Sequence, residues 1–84
     1  MIMCTVTLRR IDPGRNMSRF YQLDLQPDLF GGVLLMKQWG RIGAQGRITA
    51  EHYETEAVAA RVLQQHADRK RRRGYVAKRV NAKY

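Results

Sequence analysis

Paired thiols, catalytic pairs and long apolar runs are all missing from these 84 residues. A single cysteine, Cys4, cannot close an intrachain disulfide, and His52 and His66 stand too far from it and from each other to set a metal-ligand spacing. One thiol fits a reducing cytoplasm, and Cys4 itself reads as a small residue opening a strand. No apolar stretch approaches the roughly 18 residues of a membrane span. "MIMCTVTLRR" places its arginines after its short apolar run, the reverse of a secretory signal. A serine elbow, a Walker pattern and a carboxylate pair beside a histidine are likewise missing. Neither catalysis nor a cofactor or metal is expected. His66 falls on an apolar helical stripe and reads as a satisfied, semi-buried histidine.

Acidic residues are scarce too. Sixteen Lys and Arg against seven Asp and Glu give a net charge of +9, an imbalance that attracts nucleic acid or an anionic membrane. It is unevenly spread. Residues 1–54 hold seven basic and five acidic side chains, whereas residues 55–84 hold nine and two. The C-terminal third is the electrostatic footprint. The length fits one small domain over residues 1–84, because a chain this short buries only about 60% of the surface its unfolded form exposes.

Alternation organises the first two thirds. "CTVTLRRI" sets Val6 and Leu8 against Thr5, Thr7 and Arg9, a half-buried strand. "DPGRN" then breaks the pattern. "SRFYQLDLQ" places Tyr21, Leu23 and Leu25 on one side, and "PDLFGG" connects it to "VLLMKQWG", dense enough in apolar residues for a strand covered on both faces over much of its length. Phe30 and Met36 read as packing. In "GRIGAQG" the glycines Gly40, Gly43 and Gly46 are three apart, a backbone able to turn sharply and to approach another molecule closely. "RITAEHYE" resumes alternation as a fourth strand.

The period then changes to a helix. Thr55 is a fitting N-cap, Glu56 suits the positive end of the dipole, and no Gly or Pro follows until Gly74, a plausible stop. Ala59, Val62, Leu63, His66 and Ala67 form one stripe, continued by Lys70, while Arg61, Gln65, Arg69 and Arg72 make a basic flank. These elements predict an α+β domain, a single small antiparallel sheet of about four to five strands with one helix across one face.

Two side chains carry open alternatives. Trp39 is either core or an exposed platform; parity with Lys37, its place at a polar strand end and the following Gly40 and Arg41 favour a surface that stacks on a base or sugar between cations. Lys70, ending an apolar stripe, either snorkels to the rim of the sheet or meets a partner there. "DRKRRRGY" is either a solvated helix end or an anion site, its five successive cations exceeding what solubility needs.

The stretch from Asn16 to Tyr75, through "NMSRFYQL", "QPDLFGG", "WGRIG" and "KRRRGY", resembles the WGR domain, in particular its short stand-alone bacterial versions. The family is named for the triplet that stands here as Trp39, Gly40 and Arg41. The resemblance implies the same sheet-and-helix fold. It also implies a DNA-break contact of the kind made in DNA-dependent poly(ADP-ribose) polymerases, with Trp39 near a terminal nucleotide and Arg41 on DNA or a partner protein. In the tail, residues 76–84, "RVNAKY" offers Arg79, Lys83 and Tyr84 at a spacing similar to that of the polymerases, with Asn81 where a proline is common. The ADP-ribosyltransferase, regulatory and zinc-finger domains of those enzymes do not fit in 84 residues, so their activity is not expected.

The resulting expectation is a non-enzymatic, cytoplasmic and nucleoid-associated nucleic-acid-binding module contacting its ligand through Lys37, Trp39, Gly40, Arg41, Arg47, Lys70, Arg79 and Tyr84. DNA is the ligand the resemblance implies, although the residues themselves do not distinguish it from RNA. The rival expectation is an adaptor docking a protein through Arg41.

Overall fold

The computed structural model describes residues 3–77. Five strands and one helix follow in the order β1 (Cys4–Asp12), β2 (Met17–Pro27), β3 (Val33–Arg41), β4 (Arg47–Tyr53), α1 (Glu56–Arg72) and β5 (Val76–Ala77), with a 3-10 turn at Pro13–Arg15. They form one antiparallel sheet ordered β4-β3-β2-β1-β5. Consecutive strands are neighbours, which short connections dictate. Only β5, reached after the helix, adds to the far edge.

Side-chain parity decides which face is the core. Leu8 of β1, Tyr21, Leu23 and Leu25 of β2, and Val33 and Leu35 of β3 share one face and are buried. Ala59, Leu63 and Ala67 cover them from the helix, the small residues letting α1 lie close to the sheet. The opposite face has no layer over it among the described residues. Leu34 and Met36 there are half-buried, so β3 is covered on one face and not on both as its apolar density predicts. The apolar run reflects a half-shielded outer face, where cross-strand neighbours supply the shielding.

Helix α1 begins and ends as its sequence foretells. The Thr55 hydroxyl accepts a hydrogen bond from the Val58 amide at 3.2 Å, satisfying one of the orphan donors of the first turn. Thr55→Ala is expected to cost about 1 kcal/mol, read as a lowered urea midpoint with unchanged slope. At the other end Gly74 takes a positive φ of 96°. Its amide donates to the Arg71 carbonyl at 3.0 Å, and the Tyr75 amide donates to the Lys70 carbonyl at 3.1 Å. This pair of bonds is a Schellman turn, and it folds the chain back so that Tyr75 returns beside Lys70.

The glycines after Trp39 serve the hairpin itself. A Cβ on Gly40 would stand 2.7 Å from the Gly46 Cα, and one on Gly46 would collide with the Trp39 carbonyl. Gly46 also has φ of 74°, and Gly43 of 96°. One close approach their spacing permits is between Gly40 and Gly46 of this chain, at the base of the β3–β4 connection. No helix among the described residues is long and apolar enough to cross a membrane.

Candidate nucleic-acid interface

Register turns the strand ends into rows on the helix-covered face. Tyr21 pairs with Trp39 and Trp39 with Arg47 in one row; Arg10, Arg19 and Arg41 form the next, and Leu23, Lys37 and Thr49 the one before. Helix α1 runs toward this end of the sheet and stops there, so its last turn overhangs the rows without covering them. Between them lies a cleft of about 300 Å³ lined by Tyr21, Lys37, Trp39, His66, Arg69, Lys70 and Arg73. Trp39 and Lys70 also line an adjoining hollow shared with Arg19, Gly40, Arg41 and Tyr75.

Trp39 lies between core and surface, the two placements its sequence context allows. It is half-buried, packed against the core, with its ring centroid 6.3 Å from that of Tyr21 at an angle of 42°. The rest of the indole faces the two hollows. A stacking platform needs such a seat, since a ring fixed on one side loses little freedom when a ligand covers the other.

Lys70 neither snorkels free nor meets a carboxylate. Its Nζ lies 4.6 Å from the Tyr21 ring centroid and 5.3 Å from that of Tyr75, within cation–π range; the two rings meet edge-on at 6.4 Å. Burial, and after it the guanidinium groups of Arg73, Arg19 and Arg69, hold the Lys70 amine below the ordinary lysine range. His66 is likewise lowered, first by burial and then by Lys37, Arg69 and Lys70, with Glu51 opposing. The surrounding cations disfavour the charged forms of Lys70 and His66, and a bound anion would relieve that repulsion.

Lys37 behaves differently from its neighbours. Its Nζ donates to a Glu51 carboxylate oxygen at 3.3 Å, and its side chain is only 15% exposed. The Tyr53 hydroxyl donates to the other Glu51 oxygen at 3.0 Å. Glu51 is held below the usual carboxylate range by that Tyr53 bond first and, against some burial, by Lys37. Lys37 thus belongs to the cleft floor, already paired, whereas Arg19, Arg41, Arg69, Lys70 and Arg73 have no carboxylate within ion-pair distance among the described residues.

Of the eight residues the sequence nominates, the fold gathers Lys37, Trp39, Gly40, Arg41 and Lys70 around the two hollows. Arg47 shares the face, opposite Trp39 on β4, without lining either hollow. Arg79 and Tyr84 lie outside the described residues. Sequence reasoning missed Arg19 and Tyr21 as lining residues; Arg69, Arg73 and Tyr75 belong to the run "DRKRRRGY" that it offered as a solvated helix end or an anion site. The signals were present as cross-strand register for the first two and as the spacing 66, 69, 70 and 73 on the last helical turns.

The chain is 41% identical over 68 residues to the uncharacterized protein y4dW of Sinorhizobium fredii (strain NBRC 101917 / NGR234), an alignment that covers 81% of this chain and 33% of that protein. The chain therefore spans about a third of that relative's length. No solved structure matches it significantly. The family model described as the WGR domain matches residues 4–82, nearly the whole chain, and the protein belongs to the WGR domain family.

Proposed function

We propose that this WGR domain is a non-enzymatic nucleic-acid-binding module whose ligand is DNA. Its cations hold phosphates at the end of the sheet, and Trp39 stacks on an exposed base or sugar at a duplex end or distorted site. One observation carries the reading: five cations without carboxylate partners among the described residues surround a half-exposed, firmly seated tryptophan in an open cleft. Phosphate contacts of this kind give affinity and position without reading base edges, so sequence preference is slight. The family resemblance supports the same reading, with Arg41 on phosphate.

Trp39 is the only tryptophan in the chain, and its fluorescence reports on the proposed site alone. Titration with blunt, nicked, single-stranded and RNA ligands is expected to quench it most strongly with ended or nicked duplex. Saturated binding, followed by anisotropy of a labelled ligand, with unchanged Trp39 emission would place the ligand elsewhere.

A further inference from the structure

The β2–β3 connection, at the opposite end of the sheet from the cleft, carries the largest unexplained feature of the surface. Leu29 is 95% and Phe30 96% exposed. The sequence reads Phe30 as packing, and the fold instead holds it outward. The turn is braced, not loose. Asp28 accepts hydrogen bonds from the Phe30 amide at 3.2 Å through its side chain and from the Gly31 amide at 3.1 Å through its carbonyl. The Asp28 amide donates to the Gly32 carbonyl at 3.1 Å. His52 of β4 lies 3.0 Å from the Gly31 carbonyl and 3.6 Å from the Asp28 carboxylate. Gly31 and Gly32 both take positive φ, and a Cβ on Gly32 would stand 2.6 Å from the Tyr53 carbonyl. Two adjacent large apolar side chains fixed in this way differ from the singly scattered apolar residues of an ordinary surface.

Charge tells what kind of surface would receive this tip. No Lys or Arg occurs in residues 20–36 or 48–60, the segments that build this end; of the five acids they hold, Glu51 is bound to Lys37 of the cleft floor, and Asp24, Asp28, Glu54 and Glu56 remain. Asp28 is in the turn itself, and Glu54 follows Tyr53, the partner of Val33. The molecule is polar along its strands: an acidic end with an apolar tip, and a basic end with an aromatic cleft. An acidic rim disfavours nucleic acid and anionic lipid alike. It favours a pocket whose floor is aromatic and whose rim is cationic, which is the description of the Trp39 cleft.

We infer that the Leu29–Phe30 tip of one copy docks into the Tyr21–Trp39 cleft of a second copy, with the exposed Glu54 facing Arg69 and Arg73. Tip and cleft lie at opposite ends of β3, so the contact is head-to-tail and does not close on itself; it propagates into an open chain of copies. The cleft is the one assigned above to nucleic acid, and self-association and nucleic-acid binding exclude each other there. The docking itself does not rest on that assignment, because it is measured without nucleic acid.

Sedimentation equilibrium of the purified chain at moderate salt tests it. Wild type is expected to show a weight-average mass that rises with concentration from that of one chain, 9.8 kDa. L29S/F30S, at side chains that touch little of the fold, and R69E/R73E, at exposed positions, are each expected to remain single. Their equimolar mixture is expected to form a dimer and nothing larger, since one intact tip meets one intact cleft and growth then stops. Monomeric wild type at all concentrations, undiminished association of L29S/F30S, or a mixture that stays single would each overturn the proposal. Tip variants that bind duplex DNA at least as tightly as wild type, their clefts being freed of the competing tip, separate this outcome from failure of the nucleic-acid reading.

Discussion

Raising salt from 50 to 200 mM is expected to weaken duplex DNA binding roughly 500-fold. Five cations line the hollows without carboxylate partners among the described residues, Arg69, Lys70 and Arg73 from the helix end and Arg19 and Arg41 from the strands. Each phosphate neutralised releases condensed counterions, so log K falls with log salt at a slope of about −0.9 per contact on duplex DNA, or about −4.5 for five. On a single strand the slope per contact is about −0.7, and the same interval costs only ~100-fold. Lys37 is left out of the count because Glu51 already holds it. Replacing Arg73 with Gln should make the duplex slope shallower by about one unit, and a slope near zero for wild type would mean that the cleft does not work by charge.

Leu35→Ala is expected to remove much or all of the folded population. Leu35 is fully buried in β3, between its β2 partner Leu25 and its β4 partner Glu51 and beneath the helix. Truncating a buried leucine costs about 2–5 kcal/mol, the spread reflecting how far the cavity collapses. A domain of this length has roughly 4–13 kcal/mol to lose, at about 0.05–0.15 kcal/mol per residue. With only one helix over one face, few side chains are able to move into the space. Urea unfolding should show a strongly lowered midpoint, and a midpoint within about 1 kcal/mol of wild type would mean that the helix and sheet repack around the site.

The sheet was legible because its core obeys period two. Leu8 of β1 and Tyr21, Leu23 and Leu25 of β2 fall on the sides that alternation assigns them, and all are buried. The helix was legible at both ends because Thr55 and Gly74 act through local backbone chemistry, which needs no knowledge of the rest of the fold. The coverage of β3 was not, since Leu34 and Met36 look alike on a buried face and on a face shielded only by neighbouring strands. Phe30 shows the same limit more sharply: an aromatic beside two glycines looks like packing, and only the braced turn reveals that it points outward. In the cleft, Trp39 and Lys70 stood out as exceptions to their local patterns. Arg19 and Tyr21 did not, because they become neighbours of Trp39 and Arg41 only through strand register, a long-range property. Gly40 was read as a place where a ligand approaches; it lines the second hollow, and its lack of a Cβ also serves the close passage of the Gly46 Cα, a contact between strand ends that spacing alone does not reveal.

The proposed function has Trp39 stack at a DNA end while the surrounding cations supply affinity that any DNA shares. Its most direct test is the affinity of Trp39→Ala for a linear duplex against a closed circle of the same sequence. Base–aromatic stacking contributes about 1–3 kcal/mol per base, so end binding is expected to weaken roughly 5- to 150-fold. Binding to the circle should stay close to wild type, which also shows that the variant remains folded. Equal loss on linear and circular DNA would contradict the stacking role and leave Trp39 as packing against Tyr21.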